Sequence, residues 1–384
     1  MLSIFCFALI MVFLSGVIIF NTSVATSKTA QLNNITLYYI TTREPEDFSK
    51  LDPLNATYTS KERQEYGNDN YQNLSSLKEQ QACKDGTIAI FVHGWEESEK
   101  IAEERLNRVK LSLANNRYTG ALIGFSWPSD TVWLGAQFIA EANGPKLGQL
   151  IYNLKIDCPA ADIRIIAHSL GARVVLSSLD SLYKNPLWNT KDFKIKSVHL
   201  LGAAVDDEEV SNRSEFITID QTNWGSPKSD YGQVISAEVT NFINLFSSKD
   251  SMLKPNITPA LQIYPTFESD LALGQNGYQK YPLYPILDSK YNLMKRESLP
   301  KNYIEKDVKD ELVAICDADA DRHLDKPFLV GQNITVGDNH RGYLGYRVNE
   351  TKINDDGAIN LVVSNWNNKP LIINNHNFSS SICT

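Results

Sequence analysis

The most constraining feature of this 384-residue sequence is the stretch Ile163-Arg-Ile-Ile-Ala-His-Ser-Leu-Gly-Ala-Arg173. The apolar run Ile163 to Ala167 reads as a buried strand, and Ala172, Val175, Leu176 and Leu179 then share one face of a helix. Between the two, a turn of small residues carries Ser169. So abrupt a passage from strand to helix forces the residue at its tip into strained backbone, so the positions two before and two after must be small. Ala167 and Gly171 meet that need. The turn exposes the serine hydroxyl and aims the following N–H groups, at the positive end of the helix dipole, at whatever lies above it.

The surrounding sequence supplies layers for this turn. Apolar runs at 35–40, 88–92, 121–125, 197–203 and 240–246 read as further strands. Helical spacing appears in Ala102, Leu106, Val109 and Leu113, and over 132–154, where Gly144-Pro145 predicts an interruption. A closing helix is predicted from Ile359, Val362, Val363 and Trp366, with Asp355 and Asp356 as N-cap candidates. Uninterrupted apolar strands alternating with amphipathic helices make an α/β class, a mostly parallel central sheet with helices on both faces. Two stretches break the rhythm: a polar excursion at 45–81 and a Pro-, Tyr- and Asp-rich, cap-like insertion at 251–335. The expected organisation is a leader at 1–25 and a single domain at 26–384.

These pieces resemble the α/β-hydrolases, with Ala167 in place of the first glycine of the G-x-S-x-G nucleophile elbow. The chain is similar to an uncharacterised, esterase/lipase-like subgroup in Ile35–Arg43, His93-Gly94-Trp95, Phe125-Ser126-Trp127-Pro128-Ser129, Ala167–Ala172, Ser247-x-x-Asp250 and His340-x-x-Tyr343. The resemblance implies an α/β-hydrolase fold with Ser169 as nucleophile. The backbone N–H groups of Trp95 and Leu170 would form an oxyanion hole, and His93, Gly94, Ala167 and Gly171 would shape the loops. Triad order in this fold is serine, acid, histidine. Asp250 is the favoured acid, and Asp206 and Asp207 stay as alternatives. His340 is the favoured base, in a glycine-punctuated loop before the closing helix. His168 and the strand residue His199 read as structural, and His323 and His376 as less well placed. The chemistry implied is hydrolysis of a small-molecule or lipid-like ester through an acyl-enzyme, with no cofactor and no metal. Two readings compete: a non-catalytic cell-surface binding protein on the same fold, and an acyltransferase or amidase on the same triad.

Composition bounds the partners. Thirty-seven Lys and Arg against 45 Asp and Glu give a net charge of −8 with no basic block, which argues against nucleic acid. Residues 1–20 carry no charged side chain and are followed by Ser23-Val24-Ala25, so they read as a cleaved export signal or a retained membrane anchor. Cys83, Cys158, Cys316 and Cys383 lie beyond it, an even number that allows three disulfide pairings in an oxidising compartment. Eight Asn-x-Ser/Thr sequons from Asn34 to Asn377 fit a glycosylated surface protein. Asp317, Asp319 and Asp321 suggest a calcium loop, but Arg322 and Phe328 stand where one needs glycine and glutamate, so a solvated acidic loop is expected.

Overall fold

The computed structural model describes residues 35–43, 58–61, 71–84, 86–212, 231–250, 252–253, 272–279, 298–312, 340–349 and 352–372. The expected leader, Cys316, Cys383, the Asp317–Asp321 loop and much of the 45–81 and 251–335 stretches lie outside them. Among the described residues no helix is long and apolar enough to cross a membrane.

The strands are β1 (Thr36–Thr41), β2 (Thr59–Lys61), β3 (Thr87–Val92), β4 (Ala121–Ser126), β5 (Asp162–His168), β6 (Ile195–Leu201), β7 (Val239–Phe246), β8 (Tyr303–Asp307), β9 (Tyr346–Asn349) and β10 (Lys352–Asp355). Eight of them form one sheet in the order β2-β1-β4-β3-β5-β6-β7-β8. All neighbours are parallel except β2, which lies antiparallel on β1. β9 and β10 make a separate antiparallel pair. The expected α/β architecture is therefore the observed one. Both edges come from stretches read as irregular: β2 from the polar excursion and β8 from the insertion. Edge strands bury fewer side chains, and Tyr303–Asp307 is only half-buried along its length, so neither carries an apolar run.

The helices are α1 (Gln81–Lys84), α2 (Glu99–Asn115), α3 (Trp133–Asp157), α4 (Gly171–Tyr183), α5 (Pro186–Thr190), α6 (Gly232–Glu238), α7 (Leu273–Asn276) and α8 (Ile359–Trp366). Alternate residues of the strands feed two cores. Tyr38, Ile90, Ile123 and Ile165 pack with the apolar faces of α3 and α4, while Tyr39, Phe91, Leu122 and Ile166 pack with α2 and α8. A disulfide joins Cys83 in α1 to Cys158 at the end of α3, selecting one of the three pairings for these two cysteines.

Two local expectations are corrected. α3 runs unbroken through Pro145. Proline has no N–H for the Glu141 carbonyl four residues back, and the Ser177 hydroxyl of α4 donates to that carbonyl at 2.8 Å instead. Gly144 makes room for this approach, since a Cβ there would fall on the Ser177 side chain. The second correction is the cap of α8. Its N-cap is Ala358, without a side-chain bond, and the Asp356 carboxylate instead receives the side-chain amides of Asn115 and Asn116.

Candidate active site

The parallel register brings the C-terminal ends of β3, β5, β6 and β7 to one edge, with Val92 beside Ala167, His168 beside Leu201, and Leu201 beside Leu245. Open parallel sheets form their sites at this edge. At the end of β5 the chain turns through Ser169, whose φ is +54°, and enters α4. Its backbone N–H donates to the Leu201 carbonyl at 3.0 Å, and its carbonyl receives Ala172 and Ala204, each at 3.1 Å. A turn this tight leaves no room on either side. A Cβ at Gly171 would sit 2.5 Å from the His93 carbonyl, and one at Gly94 would sit 2.8 Å from the Ser169 Cβ. Ala167 is fully buried beneath the turn.

Above Ser169 is a pocket of about 50 Å³ lined by Gly94, Trp95, His168, Ser169, Ala204 and His340 and walled by Trp133, Met252 and Leu253, with Glu96 and Glu97 at one side. Trp95 and Trp133 meet edge to face at 5.3 Å. His340 opens a 3-10 helix, His340–Leu344. Its Nδ1 donates to the Asp250 carboxylate at 2.6 Å. Asp250 is fully buried, and its second oxygen accepts the Met252 N–H at 3.1 Å. Ser247 makes the turn after β7 that holds this acid, its carbonyl accepting the Asp250 N–H at 2.9 Å.

Neither alternative acid lines this pocket. Asp207 is fully buried and accepts the Gln279 N–H at 2.7 Å, and Asp206 pairs across an isolated bridge with Ala272. His199 is buried in β6 and donates from Nε2 to the Asn365 side-chain carbonyl at 3.1 Å; burial lowers its pKa to about 3. His168 lines the pocket and is held by its outer ring nitrogen. Its Nε2 donates to the backbone carbonyl of His340 at 2.9 Å, and its ring packs 4.9 Å from that of His340. It thus anchors the segment that carries the expected base.

The two expected backbone donors flank the turn at Ser169: Leu170 follows it in the chain, and Trp95 lines the pocket. Among the described residues no protein acceptor takes the N–H of Trp95 or of Leu170, although Leu170 is fully buried. Trp95 is only half-buried and its N–H belongs to a residue of the pocket wall. His93 is buried away from the pocket with its ring stacked on Trp127, 5.6 Å between centroids. Trp133, Met252 and Leu253 took no part in the sequence expectation. Met252 and Leu253 follow Asp250 closely, but nothing in a single sequence marks Trp133 as a pocket wall.

Residues 70–255 match a family described as alpha/beta hydrolase of unknown function, a span that holds Ser169 and Asp250 and stops before His340. The fold is an α/β-hydrolase fold. Among solved structures this chain is similar to the phospholipase PlaB of Legionella pneumophila, at 9% identity and a TM-score of 0.31 over 58% of this chain and 52% of that one. The chain thus spans about half the length of that phospholipase. It is also similar to a Pyrococcus furiosus esterase, at 12% identity and a TM-score of 0.27 over 48% of this chain and 69% of that one. A curated relative, an NH3-dependent NAD+ synthetase of Thermococcus sibiricus, is 23% identical over 229 residues, 54% of this chain and 89% of the relative.

Proposed function

We propose that this protein is a serine hydrolase that cleaves carboxylic esters through an acyl-enzyme. One observation carries the reading: a buried carboxylate, Asp250, is bonded at 2.6 Å to His340, and His340 shares a pocket with a serine held at φ +54°. In this reading the bond to Asp250 leaves Nε2 of His340 as the acceptor. His340 takes the Ser169 proton as Oγ attacks the ester carbonyl, and Asp250 stabilises the imidazolium that forms. The Trp95 and Leu170 N–H groups receive the oxyanion, each such donor contributing about 2.7–4 kcal/mol to the transition state. The proton then passes to the leaving alcohol, and water repeats the sequence to release the acid. A small-molecule or lipid-like ester is the proposed substrate.

The export reading joins this proposal. The uncharged segment 1–20 and the Cys83–Cys158 disulfide both favour a protein working outside the cytoplasm, released or held at a membrane by its N-terminus.

The test is covalent. The purified protein is exposed to a fluorophosphonate probe beside Ser169→Ala, His340→Ala and Asp250→Asn. The wild type is expected to label and Ser169→Ala to be inert. Asp250→Asn is expected to lower kcat on p-nitrophenyl esters by roughly 10³–10⁴-fold. A folded wild type that does not label sinks the enzyme reading in favour of a binding protein. Faster turnover of amides, or transfer to added alcohols in place of water, would redirect the same triad to amidase or acyltransferase chemistry.

A further inference from the structure

The proposed oxyanion donor Trp95 follows a glycine, which leaves the peptide joining them free to turn over. In a trans peptide the C=O and the next N–H point to opposite sides. Whatever holds the Gly94 carbonyl therefore aims the Trp95 N–H. That carbonyl lies 2.9 Å from Nδ1 of its own neighbour, His93, and the contact is a hydrogen bond when Nδ1 carries the proton.

The other ring nitrogen decides where the proton sits. Nε2 of His93 accepts the backbone N–H of Trp127 at 3.1 Å and faces Nη2 of Arg43 at 3.2 Å. Both of these groups only donate, so Nε2 stays bare and the proton resides on Nδ1. Burial, with the Arg43 charge second, holds the ring's pKa well below its ordinary value, and the Glu97 carboxylate, whose Oε2 lies 3.4 Å from Nδ1, also favours a proton on that nitrogen.

Arg43 is tied to its task from three sides. Its Nε donates to the Ser126 hydroxyl at 2.6 Å, and Nη2 donates to the Glu97 carbonyl at 2.8 Å as well as facing His93. It thus reaches from the end of β1 to both ends of the 93–97 loop. The neighbouring motif serves the same loop. Trp127 Nε1 donates to the His93 carbonyl at 2.9 Å, and Ser129 accepts the Glu96 N–H at 3.1 Å on its carbonyl and the Glu97 N–H at 3.2 Å on its hydroxyl. The Ile35–Arg43 and Phe125–Ser129 motifs, which contribute nothing to the triad, converge here.

We propose that Arg43 and His93 form a positioning relay: the guanidinium fixes the His93 tautomer, and the tautomer turns the Gly94–Trp95 peptide so that its N–H faces the oxyanion. This inference rests on the serine-hydrolase reading, and it makes both side chains positioning residues that never touch substrate.

The relay acts only where charge develops, so its loss should weaken the transition state and spare substrate binding. In the full-length protein, Arg43→Ala and His93→Phe are expected to lower kcat about 10–100-fold, approaching the loss of a whole oxyanion donor, with KM within about twofold. Affinity for a trifluoromethyl ketone inhibitor should fall by the same factor as kcat/KM. Ethylguanidinium should restore part of the Arg43→Ala loss. Should Arg43→Ala not fold, Arg43→Lys is read instead: one ammonium cannot serve Ser126, His93 and Glu97 together, so an intermediate loss is expected. Independently of activity, 15N-histidine NMR, with the His93 signal assigned by its absence from His93→Phe, should show the Nδ1–H tautomer. An Nε2–H tautomer, or folded variants that keep wild-type kcat and inhibitor affinity, would overturn the relay. A wild type that shows the Nδ1–H tautomer but neither labels nor turns over removes the hydrolase reading and the relay's catalytic role together. One that labels while its variants match it removes the relay alone.

Discussion

A buried imidazole shows how a single residue shapes the acid response of this protein. His199 is fully buried in β6, bonded through Nε2 to Asn365, and burial brings its pKa to about 3 from an ordinary 6.5. An unfolded chain takes up a proton on this residue below about pH 6.5, while the native one refuses it until pH 3. Its contribution to stability is complete above about pH 6.5 and is lost as the pH falls toward 3. Denaturant midpoints at pH 7 and pH 4 should therefore differ more for the wild type than for His199→Leu. Equal differences would show that other groups set the acid limb. That His199 would be buried was legible, because it stands in an apolar run. Ser169 was legible for a kindred reason: the constraint on a strained turn falls on its immediate neighbours, Ala167 and Gly171. The Nδ1–H of His93 was not, since its tautomer depends on Arg43 and Trp127, which lie 50 and 34 positions away.

At the scale of elements, the paired helices α3 and α4 show how a local signal can mislead. Gly144-Pro145 carries the pattern of a helix break, yet the helix continues because its missing donor is supplied from outside. Ser177 donates to the freed Glu141 carbonyl, and Gly144 admits Ser177 to bonding distance. Ser177→Ala leaves that carbonyl unpaired and should cost about 1–3 kcal/mol by denaturant titration, with kcat unchanged. Gly144→Ala should cost a similar or larger amount by overpacking the crossing, about 1–3 kcal/mol or more. A Ser177→Ala variant as stable as the wild type would mean that Pro145 needs no replacement donor. The same scale explains the missed edges. β2 and β8 are in the sheet because of backbone pairing with β1 and β7, and a strand as exposed as β8 leaves little apolar pattern to read. The interior strands, buried on both faces, announced themselves.

Across the whole molecule, the candidate site and the disulfide occupy opposite ends of one sheet. The disulfide lies beside the starts of β3 and β5, where Gly86 accepts the Asp162 N–H and Thr87 pairs with Asp162. The candidate site lies past the other ends of the same strands. Six residues of β3 separate the two, roughly 20 Å of strand. The ring closed by Cys83 and Cys158 spans 75 positions and contains β3, α2, β4 and α3, so it ties down the sheet segment that carries the 93–97 loop. Parity of cysteines pointed to bridges, but which pair would meet depends on how the sheet brings α1 to the end of α3, and no spacing encodes that. Removing the link restores freedom to the unfolded chain more than it disturbs the native one. On the chain-entropy account a ring of this size contributes about 4 kcal/mol. Cys83→Ala/Cys158→Ala should therefore melt well below the wild type while keeping its kcat at low temperature. Both cysteines are buried, so dithiothreitol should act slowly on the native protein and rapidly once denaturant opens it. A double variant with wild-type melting behaviour would show that packing of α1 against β3 already holds this corner. One that is stable but inactive would show that the far end of the sheet is felt at the 93–97 loop, and that the two ends are coupled through β3.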